Sequence, residues 1–139
     1  MMNQNWECTA GKCFLGRTGG NELHLFFVLT EPMNLPSYGN RPQVLSVNIS
    51  SVYEGRPYDN TCEIDVGEHP FVNHKSYVYY RRMRMDEVEH LEGLVNSGLF
   101  PAKENCPPEL LQRILQGALT SIHTSREFKQ IIESYLQSS

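Results

Sequence analysis

No apolar run in the 139-residue sequence approaches the roughly 18 residues that a membrane-crossing helix needs. The opening residues 1–7 (MMNQNWE) lack a basic segment followed by an apolar one. The chain therefore reads as a soluble, cytoplasmic protein with no membrane partner. It has no excess of positive charge either: twelve Lys and Arg stand against sixteen Asp and Glu, a formal charge of -4. That balance excludes a polycation that holds nucleic acid by bulk charge, so any anion site has to be a local patch. Glycine (ten) and proline (eight) show neither tract nor period, which excludes collagen-like and low-complexity chains. The four cysteines, Cys8, Cys13, Cys62 and Cys106, lack zinc-ribbon spacing and are expected as reduced thiols. Also missing are a GxxxxGKS phosphate loop, a GxSxG elbow, an HExxH helix and an EF-hand loop, and with them the chemistries they carry.

What is present fits one domain, residues 1–139, with a β-rich part at 13–85 and a helical part at 86–139. Residues 23–30 (LHLFFVLT) are apolar almost throughout and predict a strand buried on both faces. In residues 44–49 (VLSVNI), Leu45, Val47 and Ile49 share one face, with Val44, Ser46 and Asn48 on the other. Cys62, Ile64 and Val66 alternate with acids, and residues 76–85 (SYVYYRRMRM) are dense in strand formers. Cys13-Phe14-Leu15 is a candidate fifth strand. Turn formers crowd the connections, so the expected fold class is α+β, a small antiparallel barrel or strongly bent sheet followed by C-terminal helices. Asp86 is placed to cap a first helix that Gly98 ends. Pro107 and Pro108 open a second, with Leu110, Leu111, Ile114, Leu115, Ala118, Leu119 and Ile122 on its stripe. Ser125 caps a third that presents Phe128, Ile131, Ile132, Tyr135 and Leu136. These wide stripes pack on the sheet or on each other, or lend surface to a homodimer.

Three polar clusters could carry chemistry. Residues 65–76 (DVGEHPFVNHKS) bring His69 and His74 into one turn-rich connection, and imidazole is suited to proton transfer near neutral pH. Two readings stay open there, a catalytic pair or a turn braced by hydrogen bonds; His24 could complete a three-histidine metal set. Tyr77, Tyr79 and Tyr80 run into Arg81, Arg82 and Arg84. On a strand, Arg82 and Arg84 face one side and Arg81 the other, a pattern that suits single-stranded RNA and equally suits packed rings with solvated cations. Third come isolated residues at strand ends: Arg17, Arg41, Ser50 and Ser51, where an arginine could offset phosphoryl charge and a hydroxyl could orient it.

The order of these pieces resembles the PemK/MazF-like toxin family. It runs from Gly16-Arg17 to HLFFVLTEP at 24–32, VLSVNISS at 44–51 and Pro107-Pro108-Glu109-Leu110-Leu111. That family's arginine is usually followed by proline; Arg17 is followed by Thr18, whereas Arg41-Pro42 has the dipeptide ahead of the second strand. The resemblance implies an SH3-like barrel, metal-independent and cofactor-free cleavage of single-stranded RNA, and a neutralising antitoxin peptide as partner. The histidine-bearing segment departs from the family pattern; joined to that scheme, the candidate residues give acid-base roles to His69 or His74, charge stabilisation to Arg17 or Arg41, phosphate orientation to Ser50 or Ser51, and strand guidance to Tyr79, Arg81, Arg82 and Arg84. A non-catalytic binding module of the same fold, for a nucleic acid or a peptide, is the alternative.

Overall fold

The period-two segments become antiparallel strands in the computed structural model, which describes residues 5–138; the first four residues, read above for a signal segment, lie outside that range. The strands are β1 (Cys13–Arg17), β2 (Leu23–Val28), β3 (Gln43–Ser51), β4 (Glu63–Ile64), β5 (Ser76–Val78), β6 (Arg84–Glu87) and β7 (Ala102–Lys103). They pair in the order β4-β5-β3-β2-β1-β7, with β6 also on β3. The sheet is not closed, since β4 and β7 remain the ends of that order. The nine-residue β3 is the hub: its first half pairs with β6, its middle with β2 and its last three residues with β5.

Alternation along β2 and β3 divides the core as expected. Leu25, Phe27, Leu45, Val47 and Ile49 face one apolar cluster, while Phe26, Val28 and Val44 face another. The first cluster is sealed by α2 (Pro108–Thr120) and α3 (Arg126–Ser138), the second by α1 (Val88–Asn96). Leu91 of α1 and Ile114 of α2 are fully buried, and each such side chain contributes about 2 kcal/mol. Ser125 caps α3 as predicted, its Oγ accepting the Phe128 N–H at 3.1 Å. Gly98 ends α1 in the left-handed region at φ 87°.

The structure corrects four expectations. The strand foreseen over 76–85 is broken: from Val78 to Arg84 the chain takes six residue steps while β3 takes three, from Ile49 to Ser46. The three surplus residues, Tyr80–Arg82, coil into a 3-10 turn. Burial of Tyr80 holds that turn, with its hydroxyl donating to the Ile114 carbonyl at 2.7 Å. Asp86 does not cap α1; it lies within β6 and accepts from Arg84 Nε at 2.9 Å. The helical half also returns a strand, β7, to the edge of β1. Finally, Ile122 falls beyond α2 and is 88% exposed, while the remainder of that stripe packs on the core. The surface that motivated a homodimer is thus largely covered within one chain.

All four cysteines are free and buried. Burial pushes the Cys8 and Cys106 thiols up to about 12 and raises Cys13 and Cys62 as well, so they remain protonated. No helix among the described residues is long and apolar enough to cross a membrane.

Candidate active site

Strands β2 and β3 pair only from Val28 opposite Ser46 to Phe26 opposite Asn48. Continued by three more residues, the register would set His24 against Ser50 and Leu23 against Ser51. Instead the strands part, and the last three residues of β3 are paired only on its other edge, to β5. A cleft of about 740 Å³ lies at this divergence, lined by His24, Ser50, Ser51, Arg56, His74 and Ser76. Leu23, Tyr53 and Phe71, all partly exposed, form apolar parts of its wall. Glu22 and Glu54 add carboxylates to the lining.

Within the cleft, Ser51 Oγ and His74 Nε2 share a hydrogen bond. Both partners are fixed through the backbone: Ser51 pairs with Ser76 across β3 and β5, and Val52 N–H donates to the Lys75 carbonyl at 2.9 Å. Ser76 Oγ then donates to the His74 carbonyl at 3.1 Å. Ser50, on the opposite face of β3, stands directly across from Tyr77 of β5 instead. Arg56 is carried by the turn after Val52, where its N–H donates to the Tyr53 carbonyl at 3.2 Å. Its guanidinium lies 5.5 Å from the centre of the Tyr53 ring. Arg56 forms no ion pair among the described residues, so its charge remains for an anion.

His69 is elsewhere. It is 0% exposed and its ring packs edge-on to Phe27, with centroids 5.9 Å apart. Nε2–H donates to the Glu104 carbonyl at 2.7 Å, and Nδ1 accepts the Phe71 N–H at 3.0 Å. Both nitrogens are occupied by backbone, which fixes one tautomer and leaves none for proton transfer. Of the two readings of the histidine pair, the brace applies to His69, while His74 faces the cleft. The three-histidine metal set fails for the same reason, and no three metal-ligating side chains are grouped among the described residues.

The arginines also differ from expectation. Arg41 is exposed and pairs with Glu89 at 3.3 Å and Glu87 at 3.8 Å, away from the cleft. Arg17 ends β1 and bonds the Asn21 carbonyl at 2.8 Å. Neither joins Ser51 and His74; Arg56 does. In the sequence, residues 55–60 read as a turn, yet Gly55-Arg56-Pro57 carries the glycine-flanked Arg-Pro dipeptide that neither Arg17 nor Arg41 offers ahead of the first strand. Of the foreseen RNA-guiding residues, Arg81 bonds His123 Nδ1 at 2.7 Å, Arg82 lies 5.5 Å over the Tyr79 ring, and Arg84 pairs with Asp86. Arg82 and Arg84 do share a surface, reached through the 3-10 turn instead of along a strand.

In comparisons with known proteins, no family model matches the chain and no curated protein matches it.

Proposed function

We propose that this protein is an endoribonuclease that cleaves single-stranded RNA by attack of a ribose 2'-hydroxyl on the adjacent phosphate, without a metal ion. The observation that carries the proposal is the Ser51–His74 hydrogen bond inside a cleft that His24 and Arg56 also line. His74 takes the proton of the attacking hydroxyl, with its ring held by Ser51. His24 protonates the departing 5'-oxygen. Positioned proton transfer of this kind contributes roughly 10² to 10⁴ in rate. Arg56 offsets the charge of the phosphorane, and loss of such a donor costs about 10² to 10³. The products are a 2',3'-cyclic phosphate and a free 5'-hydroxyl.

A serine hydrogen-bonded to an imidazole is also the geometry of acyl transfer, but that chemistry uses a third group to orient the base. Among the described residues no carboxylate bonds His74. Two imidazoles and an unpaired guanidinium suit a phosphodiester better. The test is end-group analysis of single-stranded RNA incubated with purified protein and chelator. Cyclic phosphate and 5'-hydroxyl ends support the reading; RNA left intact with and without divalent ions removes it. The resemblance to PemK/MazF-like toxins supports the same reading and, with it, an antitoxin peptide as partner.

The second reading, a non-catalytic binding module, is favoured by the exposed apolar wall of Leu23, Tyr53 and Phe71. It predicts binding without cleavage, and a His74→Ala variant indistinguishable from the parent in every RNA assay.

A further inference from the structure

A series of ring and guanidinium contacts begins on the segments next to the cleft lining. Ser50, in the cleft lining, is paired across β3 and β5 with Tyr77, and Arg56 is followed directly by Pro57 and Tyr58. The Tyr58 and Tyr77 rings lie 5.1 Å apart at 35°, and Tyr77 and Tyr79 lie 5.6 Å apart at 44°. Arg82 continues the series 5.5 Å over Tyr79 and belongs, with Arg17 and Arg84, to a hollow of about 270 Å³ beside the β1–β2 turn. All three tyrosines are only half-buried, so ring surface remains open to solvent.

The hollow is built for an anion in two respects. Its guanidinium groups are held by backbone carbonyls: Arg17 bonds Asn21 at 2.8 Å, Arg82 bonds Thr18 at 2.8 Å, and Arg84 reaches Arg17 at 3.5 Å. A guanidinium carries five N–H donors, so each retains several for a ligand. Asp86 faces Arg84 and neutralises it in part, but neither Arg17 nor Arg82 has a carboxylate partner among the described residues. In a chain of charge -4, two unpaired arginines converging with a third on one small hollow make a local positive patch.

We propose that the Tyr58–Tyr77–Tyr79 ladder stacks bases of a single strand leaving the cleft and that Arg17 and Arg82, with Arg84, hold its backbone phosphate. The proposal rests on the ribonuclease reading of the cleft and deepens it. The substrate is an unpaired RNA segment gripped beyond the scissile bond over about two or three stacked bases, the number that comparable aromatic platforms hold. A duplex cannot present its bases to the ladder, so the path selects unpaired strands.

The test uses the full chain and a non-cleavable probe, an end-labelled 2'-O-methyl uridine dodecamer, with binding followed by fluorescence anisotropy between 50 and 200 mM salt. Tyr79→Leu should weaken binding roughly fivefold or more, whereas Tyr79→Phe, which keeps the ring, should remain within about twofold. The double variant R17Q/R82Q should weaken it too and flatten the plot of log affinity against log salt by about 0.7 to 1.4, for one or two phosphates lost. Both sites are partly or fully exposed, and an unchanged thermal midpoint verifies folding. If wild-type protein cleaves RNA while affinity and salt slope are unaltered in Y79L and R17Q/R82Q, the path is wrong and the cleft reading stands. If affinity falls as expected but wild-type protein leaves RNA intact, the path stands and the nuclease reading fails.

Discussion

Replacing His69 with alanine should unfold the protein more readily without acting selectively on catalysis, although the sequence alone put His69 level with His74 as a candidate acid or base. The ring makes two backbone hydrogen bonds, to Glu104 at 2.7 Å and from Phe71 at 3.0 Å, and it is fully buried against Phe27. Each lost bond removes about 1 kcal/mol. Leaving buried partners unsatisfied and opening a ring-sized void brings the total to about 4 kcal/mol. For a domain of this size that is a fall in thermal midpoint of roughly 12 °C. His69→Gln can still present a donor to Glu104 and should lose about half as much. The assay is thermal unfolding followed by circular dichroism, beside RNA cleavage well below the transition. Cleavage normalised to folded protein should remain within a few fold. A variant that melts within about 2 °C of the parent yet cleaves a hundredfold more slowly would rule out a bracing role and return His69 to the chemistry.

Other perturbations follow from the same contacts. Arg56→Gln should lower kcat/KM by about 10² to 10³, whereas Arg41→Gln removes only an exposed ion pair and should alter stability by under about 0.5 kcal/mol. Gly117→Ala, a change that favours an isolated helix by about 1 kcal/mol, should destabilise this one by about 2 kcal/mol, because the new methyl would lie 2.2 Å from the Tyr80 hydroxyl. Adding Tyr80→Phe should recover part of that loss, as read by denaturant unfolding. The bidentate bond from Arg113 holds the Glu68 carboxyl below its ordinary value, with partial burial opposing and the Asp65 N–H assisting. Its contribution is therefore present above the unfolded value near 4.3 and is lost as pH falls through the lower folded value. Arg113→Gln should cost about 1 kcal/mol at pH 7 and show a smaller drop in thermal midpoint between pH 5 and 3 than the parent.

The parts of the fold legible in the sequence were those written as local periodicity. Both faces of β2 and β3, the proline that opens α2 and the Ser125 cap of α3 all depend on residues a few positions apart. The break at Tyr80–Arg82 was not legible, because it is set by how many residues β3 offers to two successive partners, a count no local window contains. Ser51 and His74 were recognisable as candidates but not as a pair, since 23 residues separate them and the β3–β5 register brings them together. His69 and His74 look alike in the chain; only packing against Phe27 and the Glu104 carbonyl distinguishes the brace from the group in the cleft. Arg56 carried a readable signal in its following proline, hidden because the surrounding glycine, proline and asparagine announce a turn before they announce a site.

In the proposed mechanism His74, held by Ser51, moves the proton that starts RNA cleavage. Single-turnover cleavage of a single-stranded RNA by His74→Ala measures it directly, with thermal unfolding as the control for folding. The expected rate is lower by about 10² to 10⁴ in a protein whose midpoint shifts by no more than about 2 °C, because His74 is exposed. Cleavage at the parent rate by a folded His74→Ala protein would contradict it.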